Sequence, residues 1–405
     1  MEYGGARDFF SRFNVSVGNP TRVSVNNTFV DYETGKIVSN YVPPNSSAQR
    51  AALEIYLQQC ELYENILLPG YWNFPSPDQI PSDLLLQFGQ FAKKHGIEAA
   101  LPQIFTISGL GVGNPIAAPT LYVMQAFGAP MARALLGGIY PPAFVPLSRN
   151  NSELYGLIEK LLDDDVIYSS VVVSAKRNAG RVKLTVRSKD GKIIRIEAKR
   201  LLIAFEPTLE NMDAFDLDAT ERGVFSKWQF TRSYASIVTH PSLPISGSLA
   251  NTPAAAAPSN YLEIPSLPYI GRIIYLGTAG FRALIGGSFG SEGAKKLVRD
   301  SIDLMVEQGT LPATNGTGLQ FVAFADHGPM HLRVSSQELS DGMYPLPMLN
   351  LHIVREARGC ETRFVICLGG QQRHVLHPPS RSGILSCKNS KFKLTKDERL
   401  HSGSV

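Results

Sequence analysis

The chain has 405 residues, 44% of them apolar, enough for one large core or two ordinary ones, so a disordered polypeptide and a small disulfide-stapled scaffold are both excluded. Of the 39 Lys/Arg and 35 Asp/Glu, 10 and 4 fall in residues 351 to 405, which places that tail at +6 and the preceding body at −2. The excess positive charge belongs to one terminal segment, so the body is given no polyanion partner, nucleic acid included. Cys60, Cys360, Cys367 and Cys387 lack the CxxC or Cys/His spacing of a zinc site or redox pair, and no metal site is expected. No cationic n-region followed by an apolar run stands after Met1, so no signal peptide is read in the chain as written and the cytoplasm is the default compartment.

In chain order, the alternating runs RVSVNNTFVDY and KIVSNYV flank Glu33-Thr34-Gly35 and predict a hairpin. Apolar residues at three and four residue spacing predict a helix from about Ser47 to Leu67. A second, shorter helix is expected from Leu84 to His95, with Ser82 or Asp83 as N-cap and Gly96 as the stop. Ala99 to Ala132 carries no charge over 34 residues, yet four prolines and four glycines interrupt it. Its longest unbroken helical run, Thr120 to Gly128, is far shorter than the roughly 20 residues a membrane span needs, so it reads as buried and not transmembrane.

Near Asn151 the pattern changes. SELYGLIEKLLDD predicts an amphipathic helix, followed by the β-branched strands VIYSSVVVSAKR, RVKLTVRS and KIIRIEAKRLLIAFEP, the last two joined by Asp190-Gly191, a strong hairpin signal. The apolar end of this meander, Leu201, Leu202, Ile203 and Phe205, reads as a strand covered on both faces. Residues 241 to 268 are rich in Pro, Ser and Ala and predict a long surface loop. Beyond it, IGRIIYLG and GTGLQFVAFADH read as strands around the helix EGAKKLVRDSIDLMVEQG, which ends at Gly309.

Short motifs carry little chemistry. Gly109, Gly111 and Gly113 are spaced GxGxG and not GxGxxG, and prolines stand where a pyrophosphate-binding helix would start. Gly286, Gly287, Gly290 and Gly293 precede a helix and read as a flexible approach to it. His327 and His331 are four apart, but Gly328 and Pro329 forbid a helix between them, so a loop without metal is expected. The run Asp163-Asp164-Asp165 reads as a solvated helix end, and no residue presents itself as a catalytic base or nucleophile.

Whole segments carry a resemblance instead. DFFSRFNV, DYETGKIVSNYVPP, SDLLLQFGQFAKKHGIEAALPQIF, PTLYVMQAFG, NSELYGLIEKLLDDDVIYSSVVV and KRLLIAFEPTLENMDAFDLD together resemble the fungal β-cyclopiazonate dehydrogenase family of the flavin amine oxidase superfamily, over about residues 1 to 344. The resemblance implies an α/β, two-domain, FAD-dependent amine oxidase-like fold with mixed sheets. It implies substrate-domain regions at 1 to 150 and 211 to 344, the latter running into a C-terminal FAD piece, around the middle piece of the FAD domain at 151 to 210. It implies FAD as cofactor, a hydrophobic, nitrogen-containing fungal secondary metabolite as substrate, and oxidation by hydride transfer to the flavin without a strong protein base. The uncharged stretch from 99 to 132 is then the expected apolar wall of the substrate pocket. Val171 in YSSVVVS matches a superfamily valine whose backbone meets the adenine side of FAD; taken by itself, it reads as an ordinary core valine.

The family pattern begins with a strand, a GxGxxG turn, a helix and an acidic ribose ligand, whereas MEYGGARDFF resembles the family's chain beyond those elements, and after DGMYPLP the resemblance stops. On this reading the two ends of the nucleotide cradle are missing, FAD is held weakly, residues 345 to 405 form a divergent, poorly ordered basic tail, and residues 351 to 405 do not pack on the body. A non-catalytic remnant and a small-molecule binding protein therefore stand beside the oxidoreductase as alternatives.

Overall fold

The computed structural model describes residues 5 to 343 apart from positions 22, 69, 72, 139 to 142, 179, 315 and 317, together with the backbones of 364 to 367 and 383 to 386. Two compact units divide the chain: Met1–Ser11, Ser16–Arg149 and Gln229–Pro345 form the first, and Arg12–Val15, Asn150–Trp228 and Leu346–Val405 the second.

The N-terminal part holds α1 (Ala6–Arg12), β1 (Val17–Gly18), β2 (Asn26–Asp31) and β3 (Lys36–Ile37). The β2–β3 hairpin forms as the alternation predicts, and Gly35 takes the left-handed conformation (φ 70°) that lets its N–H reach the Asp31 carbonyl at 2.8 Å. The helix α2 (Ser46–Leu67) begins where the side chain of Asn45 accepts the Ala48 N–H, and its buried stripe contains Leu53, Tyr56 and Cys60. Tyr56 is fully buried; its hydroxyl donates to the Phe127 carbonyl at 2.7 Å, and its ring lies against Phe88 and Phe127.

The helix expected from Leu84 to His95 is two helices, α3 (Ser82–Leu85) and α4 (Phe88–His95). Between them the backbone is extended and pairs with the chain before α6 (Thr120–Ala126): Thr120 N–H donates to Leu86 O and Phe88 N–H to Ala118 O, both at 2.8 Å. Neither expected N-cap residue caps. Asp83 instead accepts from Lys94 at 2.5 Å and His95 at 3.0 Å; burial alone would raise its carboxyl, but those donors outweigh it and hold it below its ordinary value. Gly96 stops α4 in the left-handed conformation, as the sequence implies.

The uncharged stretch folds as α5 (Leu101–Val112), α6 and α7 (Ala129–Leu136), with β4 (Val145–Pro146) after it paired to β1. Pro102 is tolerated in the first turn of α5, so the longest helix here is not the one the breakers suggest. Gly109 and Gly111 lie inside α5, which removes them from any phosphate turn. Among the described residues no helix is long and apolar enough to cross a membrane.

The second unit opens with α8 (Ser152–Leu162), as patterned, and continues through β5 (Val166–Tyr168), β6 (Ser170–Asn178), β7 (Arg181–Ser188), β8 (Ile193–Ala198), β9 (Arg200–Ile203) and α9 (Ala219–Phe225). Strands β6, β7 and β8 form the expected meander, turning at Gly191 (φ 83°). One face buries Ala175, Val182, Leu184, Val186 and Ile196 against Met212, Phe215 and Phe225. Strand β9 departs from expectation: Leu201, Ile203 and Phe205 pack on that core but Leu202 is 45% exposed, so the strand alternates and is not covered on both faces. Arg177 clamps the unit, donating to Asp216 and to both carboxylate oxygens of Glu221, which also closes a capping box with Asp218.

Returning to the first unit, the chain forms β10 (Gln229–Thr239), β11 (Gly247–Asn251), β12 (Tyr269–Tyr275), β13 (Phe281–Gly287), α10 (Ser291–Glu307), β14 (Gln320–Arg333) and α11 (Ser336–Ser340). One seven-stranded mixed sheet in the order β14-β10-β13-β12-β11-β2-β3 unites them with the N-terminal hairpin. Strand β11 corrects the reading of 241 to 268 as a surface loop: it lies inside the sheet, parallel to β2 and antiparallel to β12, and Gly247, Ser248, Leu249 and Ala250 are all buried. His327 and His331 lie on β14 and not in a loop, and among the described residues no group of His, Cys, Asp and Glu is arranged to hold a metal.

Strands β15 (Phe364–Cys367) and β16 (Gly383–Ser386) pair with each other, β15 parallel to β9 and β16 antiparallel to β5. The expectation that the tail stays clear of the body is corrected at these two stretches; the rest of 345 to 405 lies outside the described residues, as do Cys360 and Cys387.

Candidate functional site

The two faces of the seven-stranded sheet do different work. Leu249, Ile270, Ile273, Ala283 and Ile285 point to one side and pack with Val298, Ile302 and Met305 of α10 in the main core of this unit. On the other side Phe29, Ala250, Ile274 and Leu284 line a cavity of about 400 Å³. Helix α5 closes it with Pro102, Phe105 and Thr106, and α7 adds Met131, so the uncharged stretch does supply one wall. The segment 261 to 265 supplies another.

Tyr269 pins α5 over the sheet. Its hydroxyl donates to the carbonyls of Gly109 (3.1 Å) and Gly113 (2.9 Å), at the end of α5, and its ring centroid lies 5.6 Å from that of Phe105. Burial drives its phenol well above the ordinary tyrosine range, so it stays a neutral donor. On the opposite side Phe29 packs against Tyr41 at 4.8 Å and Tyr41 against Tyr261 at 6.5 Å, both edge-on. The Tyr261 hydroxyl donates to Val42 O at 3.2 Å and Val42 N–H to Pro258 O at 2.6 Å, which ties the 258 to 265 segment to the chain after β3. Burial, then the neighbouring Tyr261, pushes the Tyr41 phenol up to about 12.

The polar groups of the lining are few. Asn251 is occupied, donating to Ile270 O at 2.9 Å and accepting from Tyr32 N–H at 3.4 Å. Glu263, Arg272 and Arg282 supply the formal charge, and among the described lining residues there is no His, Cys, Lys or Asp. The cavity can therefore stack, orient and dry an apolar molecule, and offers no strong base or nucleophile. Sequence reasoning located the wall at 99 to 132 but not the three tyrosines or the two arginines. A glycine inside an otherwise regular strand, Gly271 in IGRII, was the available signal for a locally altered strand.

Val171, the position matched to the adenine side of FAD, lies on β6 opposite Arg187 and is 51% exposed, so the core-valine reading does not hold. Strand β6 is at the edge of its meander; its outer side meets the 214 to 215 segment at Ala175, and among the described residues no strand pairs there at Val171. An exposed strand edge suits a backbone contact to an adenine. The pyrophosphate is less well served. Helices α2, α9 and α11 spend N-terminal amides on their own Asn45, Asp218 and Ser335, and α10, which comes after the glycine run, carries Glu292 in its first turn and Asp326 against Ser291 at 3.2 Å. The carboxylates of Glu292 and Asp326 near the positive end of α10 make it less favourable for a pyrophosphate, and the caps of the other three helices already use amides there.

Among solved structures, similar folds include the CLA-producing fatty acid isomerase from P. acnes (TM-score 0.59, 16% identity, covering 85% of this chain and 76% of that one). Putrescine oxidase bound to putrescine is another (TM-score 0.50, 13% identity, 80% and 71% covered). The class is thus an α/β fold of the flavin amine oxidase type. No family model matches the chain. Its sequence is 29% identical to beta-cyclopiazonate dehydrogenase of Aspergillus flavus over 341 residues, 84% of this chain and 70% of that protein. It is 30% identical to the FAD-dependent oxidoreductase pigF of Monascus ruber, again over 84% and 70%, and 30% identical to the FAD-dependent oxidoreductase dpchF of Colletotrichum higginsianum, over 84% and 72%. The chain belongs to this family of fungal FAD-dependent oxidoreductases, that of beta-cyclopiazonate dehydrogenase.

Proposed function

We propose that the chain oxidises an apolar, nitrogen-containing fungal metabolite of low molecular weight, that its substrate lies in the cavity between the seven-stranded sheet and α5, and that FAD is the oxidant. When bound, FAD supplies the redox chemistry by accepting hydride from a carbon, commonly one next to nitrogen. The observation that carries the reading is the lining itself: five aromatic side chains, Phe29, Tyr41, Phe105, Tyr261 and Tyr269, around about 400 Å³, with no His, Cys, Lys or Asp among the described lining residues.

The protein's part is then positional. The edge-on Phe29, Tyr41 and Tyr261 rings grip a flat apolar substrate, and Phe105 and Tyr269 bound it on the α5 side. The phenol of Tyr41, held protonated by burial, adds a donor without taking a proton from the substrate, while Tyr269 spends its hydroxyl on α5 and contributes its ring. In the second unit, residues 151 to 210 are assigned the FAD-side role, with the backbone of Val171 facing the adenine; its exposed edge position supports this.

The test is anaerobic. Protein supplied with FAD is mixed with apolar, nitrogen-containing fungal metabolites and, separately, with putrescine, and the flavin absorbance is followed. Bleaching by members of the first group and none by putrescine is expected; equal or faster bleaching by putrescine would remove the case for an apolar substrate.

A further inference from the structure

The charge total of the body, close to neutral, hides how the fold sorts its charges. Residues 170 to 200 carry ten Lys/Arg against two Asp/Glu, and strands β6, β7 and β8 of the second unit's meander run through this stretch. Arg177 is half-buried in its clamp; the other nine cations are exposed. One face of the meander buries Val182, Leu184, Val186 and Ile196 in the core of the unit, so alternation sends Lys183, Arg187 and Arg195 to the opposite face. The register then sets the outer residues in rows. Lys176 stands directly opposite Lys183, and Arg187 stands between Val171 and Ile193. Among the described residues one carboxylate shares this face, Glu197 opposite Lys183, and it already accepts from Arg181 at 2.8 Å.

Like charges directly opposite each other on a sheet are destabilising, so Lys176 and Lys183 cost the isolated protein stability that a negatively charged surface would return. The face is not wholly polar. Val171 is 51% and Ile193 49% exposed, one on each side of Arg187; Val171 brings only its side chain, at right angles to the strand edge that its backbone presents. Residues 170 to 200 contain no aromatic side chain, so the face has nothing on which to stack a nucleic-acid base and no aromatic anchor for a protein partner. Anionic lipid head groups suit both features. They attract Lys and Arg, whose aliphatic stems can lie along apolar neighbours, and they admit short aliphatic groups between them. We infer that the outer face of the meander docks the protein peripherally on anionic membrane surfaces through Lys176, Lys183 and Arg187, with Val171 and Ile193 entering the head-group layer. This face belongs to the second unit, and the docking does not depend on the cavity of the first.

The probes are vesicles of phosphatidylcholine, alone or with about one-third phosphatidylserine, and flotation measures how much of the full chain they carry. The anionic vesicles are expected to bind at least about tenfold more tightly than the neutral ones, and added salt should close that gap. Combining Lys176→Gln, Lys183→Gln and Arg187→Gln should weaken binding to the anionic vesicles on the order of a hundredfold. Stability of that variant in urea should be unchanged or raised, because the opposed lysines are gone. Ile193→Trp should add blue-shifted emission on the anionic vesicles; unshifted emission would contradict entry into the head groups. Equal binding to both vesicles overturns the inference. So does binding that survives the triple change, which would belong to another basic segment such as the +6 tail. Binding to duplex DNA and not to anionic vesicles, lost in the triple variant, would give the face to a nucleic acid and overturn the membrane assignment.

Discussion

Replacing Tyr269 by alanine is expected to remove about 3–5 kcal/mol of stability, because it removes a buried aromatic ring and frees the end of α5 at the same time. Tyr269 is 3% exposed, and the Phe105 ring and the Gly109 and Gly113 carbonyls depend on it. Gly109 O also accepts the Gly113 N–H at 2.8 Å and keeps a partner, whereas Gly113 O loses the donor that Tyr269 gives it. Tyr269→Phe should therefore cost only about 1–2 kcal/mol, the scale of one buried acceptor losing its donor. Urea unfolding of the two variants separates packing from hydrogen bonding, and binding of indole-3-butyrate methyl ester, an uncharged, flat apolar probe, reports the cavity: Phe should retain binding and Ala should lose it. An alanine variant as stable as the parent would show that α5 is held by something other than this pin.

Enlarging Leu284 should do the opposite, sparing the fold while closing the cavity. Leu284 is half-buried on the cavity side of β13, and its neighbours Ala283 and Ile285 face the core, so a larger side chain extends into open space and not into packed atoms. Leu284→Trp is expected to lower affinity for indole-3-butyrate methyl ester by about tenfold or more, with the unfolding free energy changed by less than about 1.5 kcal/mol. An unchanged affinity in the tryptophan variant would place the bound probe elsewhere.

Strong local patterns made much of the fold legible in the sequence. The hairpin at Gly35, the helix after Asn45, the meander turning at Gly191 and the helix before Gly309 each combine a periodic run with its own stop or turn residue, and each is found where those signals stand. Strand β11 was hidden because GSLAN is made of small residues with little strand preference, and its order comes from pairing with β2, more than 200 residues earlier. The break between α3 and α4 has the same origin, since Leu86 and Phe88 bond to residues 118 and 120 and not to their own helix. Leu202 reads as core by composition yet is exposed, because β9 buries one face only.

The cavity was half legible. A 34-residue uncharged stretch signals a buried wall, and α5 and α7 supply it. The facing wall depends on which side of a sheet each residue takes, and in β12 the slip at Gly271 reverses that for Arg272. Simple alternation through IGRII would send Arg272 to the core side with Ile270, so no period-based argument could have placed it at a binding surface.

The central claim, that the cavity between the seven-stranded sheet and α5 is where substrate binds, is tested most directly by hydrogen exchange with indole-3-butyrate methyl ester present and absent. The probe is uncharged, so the outcome reports the apolar walls of the cavity. Peptides covering residues 101 to 112 and 261 to 284 should exchange more slowly when it is bound, and those of the meander from 170 to 198 should not change. Slowing confined to the meander, or none in the cavity walls at saturating probe, would contradict the assignment.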